Sequence, residues 1–177
     1  MKSNNMKILK KLKNLKIKLL ILDVDGVLTD GKLYYSDSGI ETKSFDVKDG
    51  LGLKLLLKRG VEIAIISGRK SIATKNRMRD LGIKHVYLGI SDKTIVFNRL
   101  KKNLGIKNEN IACVGDDLPD FPLMQEVGFS IAVKDAVPKV CAIADYITKA
   151  TGGNGAVREV CELLCYGNHL AHLKNAK

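Results

Sequence analysis

Continuous apolar runs, rather than alternating ones, are what most constrain this chain. Residues 19–24 read LLILDV, and similar runs occupy 61–66 (VEIAII), 85–88 (HVYL), 110–114 (NIACV), 129–133 (FSIAV) and 146–148. A strand with apolar residues on both sides has to be buried on both faces, as in a parallel sheet covered by helices. Helical periodicity fills the intervals at 50–58, 71–81, 93–104, 119–127, 137–144 and 156–164. Strict alternation of the two patterns predicts an α/β fold, a doubly wound parallel sheet with right-handed crossovers. Such a sheet presents its working groups at the carboxyl ends of its strands.

One segment departs from this rhythm. Residues 32–36 (KLYYS) and 41–46 (ETKSFD) alternate around Asp37-Ser38-Gly39, which predicts a β-hairpin inserted after the first strand and too small to form a lid domain. The expected organisation is a basic lead-in at 1–18, a single domain at 19–165 carrying the hairpin at about 32–46, and a short tail at 166–177. No run of eighteen uncharged apolar residues and no cleavable leader pattern is present, so a soluble, cytoplasmic protein without a membrane partner is expected.

The net charge of +11 raises the question of a nucleic-acid partner. Seven lysines (Lys2, Lys7, Lys10, Lys11, Lys13, Lys16, Lys18) precede the first strand with no acid among them and account for most of the excess. That stretch lacks arginine and any RNA-binding signature, so a solvated lead-in is expected and no nucleic acid. Cys113, Cys141, Cys161 and Cys165 lack metal-knuckle spacing and read as reduced, mostly buried thiols. His169 and His172 form an H-x-x-H without a third ligand and read as solvated.

Chemistry concentrates where the apolar runs end. The first run closes in Asp23-Val24-Asp25-Gly26-Val27-Leu28-Thr29-Asp30. An aspartate following so apolar a strand is costly unless it is paired or metal-bound, whereas an isolated D-x-D also suits a plain turn. The second run closes in Ser67-Gly68-Arg69, which supplies a hydroxyl and free backbone N–H groups for a phosphate oxygen, or else a helix cap. Lys93 follows Ser91-Asp92 in the first turn of a helix, where an ammonium opposes the helix dipole unless an anion lies near. Gly115-Asp116-Asp117-Leu118-Pro119-Asp120 places three acids within five residues, a cluster that repels itself unless a hard cation such as Mg2+ sits among them.

In this order, D-x-D-G-V-L-T-D, Ser-Gly-Arg, Lys and G-D-D-x-x-D resemble the haloacid dehalogenase superfamily of phosphatases over nearly the whole chain from Leu19 onward. The hairpin in place of a cap, Asp46-Val47-Lys48-Asp49-Gly50, Ser67-Gly68-Arg69-Lys70 and the 152–160 stretch GGNGAVREV are similar to the branch that dephosphorylates eight-carbon keto-sugar acid phosphates in lipopolysaccharide precursor synthesis. The resemblance implies Asp23 as a nucleophile forming an aspartyl-phosphate and Asp25 as the acid and base. It implies Mg2+ held by Asp23, the Asp25 backbone carbonyl and Asp116, with Asp117 or Asp120 orienting these ligands. Ser67 and Lys93 would bind the phosphoryl oxygens. The sugar acid would meet Asp25, Lys93, the stretch Asp46, Val47, Lys48, Asp49 and Gly50, and Lys54, Arg69 and Arg77; family members carry arginine where Lys54 stands. A homotetramer is also implied, with hairpins associated, a neighbour's C-terminal segment near the site, and the glycine run 152–155 as a hinge for that tail.

Four other readings stand beside this one. A nine-carbon keto-sugar acid phosphate would use the same chemistry, and a noncatalytic relative would have lost some of Asp23, Asp25, Lys93 and Asp116, all of which are present. A phosphate-accepting receiver domain shares the fold type but lacks the second acid two residues after the acceptor, so Asp25 discriminates. A nucleic-acid module would depend on the lysine lead-in.

Overall fold

The structure, a computed structural model, describes Lys11 and residues 15–166. The rest of the lysine-rich lead-in and the C-terminal tail with His169 and His172 lie outside the described residues.

Strands β1 (Leu19–Leu22), β4 (Glu62–Ser67), β5 (His85–Leu88), β6 (Ile111–Gly115), β7 (Phe129–Ala132) and β8 (Tyr146–Ile147) form one six-stranded sheet in the order β5-β4-β1-β6-β7-β8. Every pairing in it is parallel. The helices between strands are α1 (Val47–Lys58), α2 (Ile72–Leu81), α3 (Lys93–Leu104), α4 (Phe121–Glu126) and α5 (Pro138–Ile143), and α6 (Ala156–Tyr166) follows β8. Helix α1 packs on α6 and α2, while α3 packs on α4 and α4 on α5. Right-handed crossovers place these two groups on opposite faces of the sheet.

All four residues of β1 are buried, with Leu19, Leu20 and Leu22 at 0% exposure. Each such side chain contributes roughly 1.5–3 kcal/mol relative to an exposed one. The chain leaves β1 toward β4 on one side and returns through α3 to β6 on the other, so the strand order reverses between β1 and β6. Open α/β sheets bind ligands at this reversal.

Local signals fix the helix ends. Ser71 and Asp92 cap α2 and α3 by accepting from the backbone N–H groups of Thr74 and Thr94, and Gly82 and Gly105 close the same helices. Two boundaries differ most from those expected. Helix α1 starts at Val47 rather than Gly50, because the Asp46 carboxylate accepts the Lys48 N–H at 2.7 Å and caps it three residues earlier. The hairpin is shorter than the sequence suggests: only β2 (Tyr34–Tyr35) and β3 (Glu41–Thr42) pair, in register Tyr34↔Thr42 and Tyr35↔Glu41. With little burial on either face, few rungs are held. Cys113 and Cys161 are buried, Cys141 and Cys165 are half-buried, and all four are free thiols. No helix among the described residues is long and apolar enough to cross a membrane.

Candidate active site

Asp23 is the first residue beyond β1, and its N–H still donates to the Val114 carbonyl of β6 at 3.3 Å. The chain then turns sharply: the N–H groups of Val27, Leu28 and Thr29 all converge on the Val24 carbonyl. Gly26 sits in this turn at φ +88°, and a Cβ there would come within 2.1 Å of an Asp116 carboxylate oxygen. Only glycine lets the carboxylate from the end of β6 lie against the backbone of the turn after β1.

Carboxylate oxygens of Asp23, Asp116 and Asp120 lie within 4.8 Å of one another. The Lys93 ammonium, 3% exposed, reaches in from the head of α3, 2.6 Å from Asp120 Oδ1 and 2.8 Å from Asp23 Oδ1. The second Asp120 oxygen accepts the Asp116 N–H at 3.2 Å, so Asp120 orients both neighbours. Asp116 Oδ1 is buried with no hydrogen-bond partner, and Asp23 Oδ1, though close to Lys93, is outside hydrogen-bond geometry with it. Burial, then the charges of Asp23 and Asp120, push the Asp116 carboxyl up to about 8. Burial and the Asp120 charge push Asp23 up to about 6 against the pull of Lys93. Burial opposes the Lys93 ammonium, but Asp120 and then Asp23 more than offset it and raise it to about 12. One ammonium paired with two of three clustered carboxylates, and a buried Asp116 oxygen without a partner, fits a divalent cation with hard oxygen ligands.

The Asp25 carboxylate belongs to a different set of charges. It pairs with the Lys43 ammonium and lies 3.9 Å from Arg69 Nε. Lys43 is also 3.7 Å from Glu41, and the Arg69 guanidinium pairs with Glu41 and donates to the Tyr35 hydroxyl at 3.2 Å. Ser67 is buried at the end of β4; its hydroxyl oxygen accepts the Arg69 N–H at 3.4 Å, leaving its proton to donate.

A profile of the haloacid dehalogenase-like hydrolases matches residues 89–160. The 3-deoxy-D-manno-octulosonate 8-phosphate phosphatase KdsC of Escherichia coli K12 is 53% identical over 148 residues, covering 84% of this chain and 79% of that protein. The chain belongs to the haloacid dehalogenase-like hydrolases. Among solved structures, the 3-deoxy-D-manno-octulosonate 8-phosphate phosphatase of Moraxella catarrhalis, in complex with magnesium, phosphate and KDO, superposes with a TM-score of 0.87 at 45% identity, covering 97% of this chain and 98% of that one. The cobalt-bound form of the deoxy-D-mannose-octulosonate 8-phosphate phosphatase of Haemophilus influenzae gives a TM-score of 0.84 at 41% identity, covering 89% of this chain and 91% of that one. Membership in this hydrolase family sets aside the receiver-domain alternative.

The strand ends of the hydrolase thus gather Asp23, Lys93, Asp116 and Asp120, with Asp25, Ser67 and Arg69 at their edge. Of the two acids offered as orienting residues, Asp120 is buried in the cluster, whereas Asp117 is exposed and caps the short 3-10 turn Leu118–Asp120 through the Leu118 N–H. The stretch 46–50 is the cap and first turn of α1. In it Val47 and Lys48 are exposed, but Asp49 is 1% exposed and accepts the Arg158 N–H at 2.7 Å, fastening α1 to the start of α6. Arg77 lies across Gly50 and donates to the Asp46 carbonyl at 3.4 Å, so it supports the backbone of that turn. Lys54 is exposed on α1.

The glycine run also differs from the expected hinge. The Gly153 N–H donates to the Val27 carbonyl at 3.0 Å, and a Cβ on Gly152 would sit 1.7 Å from the Gly26 carbonyl oxygen. The run is a close-packed seat for the turn that carries Asp25. Gly152→Ala is therefore expected to lower kcat by about 10²-fold, the scale of a reacting group displaced by roughly 1 Å. Steady-state kinetics beside a melting curve checks this, and a folded variant with unaltered kcat contradicts it.

The raised carboxyls give a second expected outcome, with a definite sign. A carboxyl whose folded-state pKa exceeds its ordinary 3.8 stabilises the fold in full below that value, and loses this contribution as pH rises through the folded-state pKa, here about 6 for Asp23 and about 8 for Asp116. The melting temperature of the metal-stripped hydrolase is expected to fall as pH climbs through that window, and added magnesium to restore more stability at the upper end than at the lower. A metal-free melting temperature that stays flat contradicts the cluster's electrostatics.

Proposed function

We propose that this chain hydrolyses 3-deoxy-D-manno-octulosonate 8-phosphate to the free sugar acid and inorganic phosphate. The observation that carries the chemistry is the cluster of Asp23, Asp116 and Asp120 around the buried Lys93 ammonium, with unsatisfied oxygens on Asp23 and Asp116. The substrate is supported by relatives that share about half their residues with the chain and carry that activity in their names.

In the mechanism this site supports, an Asp23 carboxylate oxygen attacks phosphorus in line. The bond from phosphorus to the ester oxygen breaks, and that oxygen leaves with its electron pair and takes a proton from the Asp25 carboxyl. The Asp25 carboxylate then accepts a proton from water as the water oxygen attacks the aspartyl-phosphate. The bond from phosphorus to Asp23 breaks, which returns the Asp23 carboxylate and frees phosphate. Lys93 and the Ser67 hydroxyl face the phosphoryl oxygens and offset charge that the carboxylates would otherwise repel. Mg2+ bound by Asp23, the Asp25 backbone carbonyl and Asp116, with Asp120 orienting these ligands, would supply further charge neutralisation on the phosphoryl group. Arg69, Lys54 and the exposed first turn of α1 at Val47 and Lys48 form the rim facing the sugar acid, with Arg77 bracing that turn.

The same reading includes a homotetramer formed through the hairpins, whose Leu33, Tyr34, Tyr35 and Ile40 are all exposed in the single chain. A mass of 19.4 kDa by light scattering contradicts that assembly. Release of phosphate from a panel of sugar phosphates, with magnesium present or chelated, tests the activity. 3-Deoxy-D-manno-octulosonate 8-phosphate is expected to lead the panel, and chelation to abolish turnover. A nine-carbon 9-phosphate ranking first moves the substrate while keeping the chemistry, and magnesium-independent release overturns the mechanism.

A further inference from the structure

Two buried ammonium groups stand at this site, and they serve different carboxylates. Lys93 faces the three acids of the cation cluster. The Lys43 side chain is 2% exposed although its neighbours Thr42 and Ser44 are exposed, because the β-like alternation after β3 turns position 43 inward. An ammonium withdrawn from water needs a charged partner, and among the described residues the carboxylates it meets are Asp25 and Glu41. Arg69 faces the same two carboxylates from the end of β4. Asp25, Glu41, Lys43 and Arg69 thus close a ring of two negative and two positive charges.

We infer that Lys43 is a positioning residue, delivered by the hairpin, that holds the Asp25 carboxylate outside the cation cluster and turned toward the leaving oxygen of the substrate. Asp25 lies only two residues from Asp23, and its backbone enters the same turn, yet its carboxylate is not among the three that converge, those of Asp23, Asp116 and Asp120. Without the Lys43 contact at Oδ1, that carboxylate keeps only Arg69 Nε, 3.9 Å from its other oxygen, against the pull of the cation that Asp23 and Asp116 would hold. The insertion after β1 therefore has a task inside its own chain. Its sequence places an alternating segment so that one inward lysine meets the acid of the preceding turn. Glu41, anchored by Arg69, faces the far side of that lysine and fixes the ammonium in place.

The inference rests on Asp25 acting as the acid in phosphoryl transfer, and its test separates the two claims. Phenyl phosphate and p-nitrophenyl phosphate have nearly the same shape and carry no sugar, but nitrophenolate departs without needing a proton and phenolate does not. The ratio of kcat/KM for p-nitrophenyl phosphate to that for phenyl phosphate reports the acid alone, since kcat/KM covers only the steps through transfer to Asp23. Asp25→Asn is expected to raise this ratio by about 10- to 100-fold, on the order of what a positioned general acid contributes. Lys43→Met is expected to raise it by at least about tenfold, also on that scale, with Lys43→Arg restoring most of the parental ratio. Should Lys43→Met not yield folded protein by its melting curve, Lys43→Gln is read in the same way. A raised ratio in Asp25→Asn with a parental ratio in both uncharged Lys43 variants overturns the role given to Lys43, whatever the uniform loss of rate. A parental ratio in Asp25→Asn overturns the acid itself and the inference with it.

Discussion

Asp23→Asn is expected to reduce phosphate release by about 10⁴-fold or more, the scale on which removal of a covalent nucleophile registers. Asparagine keeps the shape of the side chain and a carbonyl oxygen, but it has no carboxylate to attack phosphorus. The substitution also removes the Asp23 charge that, after burial, holds the Asp116 carboxyl above its ordinary pKa. The variant is therefore expected to fold, and in metal-free buffer to melt no lower than the parent at neutral pH. Kinetics and melting curves on the same preparation check both halves. A variant that is well folded and inactive fits a nucleophile, whereas one that is poorly folded and partly active fits a structural acid.

Lys93→Met is expected to damage both rate and fold, for a different reason. Its ammonium balances Asp23 and Asp120, so its removal leaves buried carboxylates uncompensated and withdraws a donor from the phosphoryl oxygens. Loss of one such donor costs about 3–4 kcal/mol in the transition state, or about 10²- to 10³-fold in kcat. Breaking a buried pair on one side also destabilises the fold by about 3–5 kcal/mol. Methionine keeps the aliphatic length, so the effect reports charge rather than a cavity. Magnesium is expected to recover part of the lost stability and little of the lost rate. Full recovery of rate would contradict the contact between Lys93 and the phosphoryl group.

The parts of this site that follow directly from the sequence are those in which a single local pattern dictates both structure and chemistry. LLIL is too apolar to sit anywhere but the centre of the sheet, so the aspartate directly after it had to emerge at a strand end. The same holds for Ser67 at the end of β4 and Asp116 after β6. Asp92 caps α3 and so aims Lys93 inward from the first helical position. What was not legible depends on contacts between distant segments. Lys43 reads as one more surface lysine until the turn after β1 is seen to offer it Asp25. Asp49 resembles a substrate-facing acid, yet it caps a helix that starts more than a hundred positions later. The glycines at 152 and 153 have the composition of a flexible joint, and only the backbone pressed against them shows why no side chain fits. The early start of α1 was hidden because Gly50 and Gly52 dilute its helical pattern, although Asp46 supplies a cap.

The central claim, that phosphate passes through a covalent ester of Asp23, is tested most directly by quenching the enzyme in acid during its first turnovers with magnesium and substrate, and sequencing the phosphorylated peptide. The account predicts one phosphoryl group, located on Asp23 and absent when substrate is omitted. Phosphate released with no modified peptide at any quench time, or with the phosphoryl group on another residue, contradicts it.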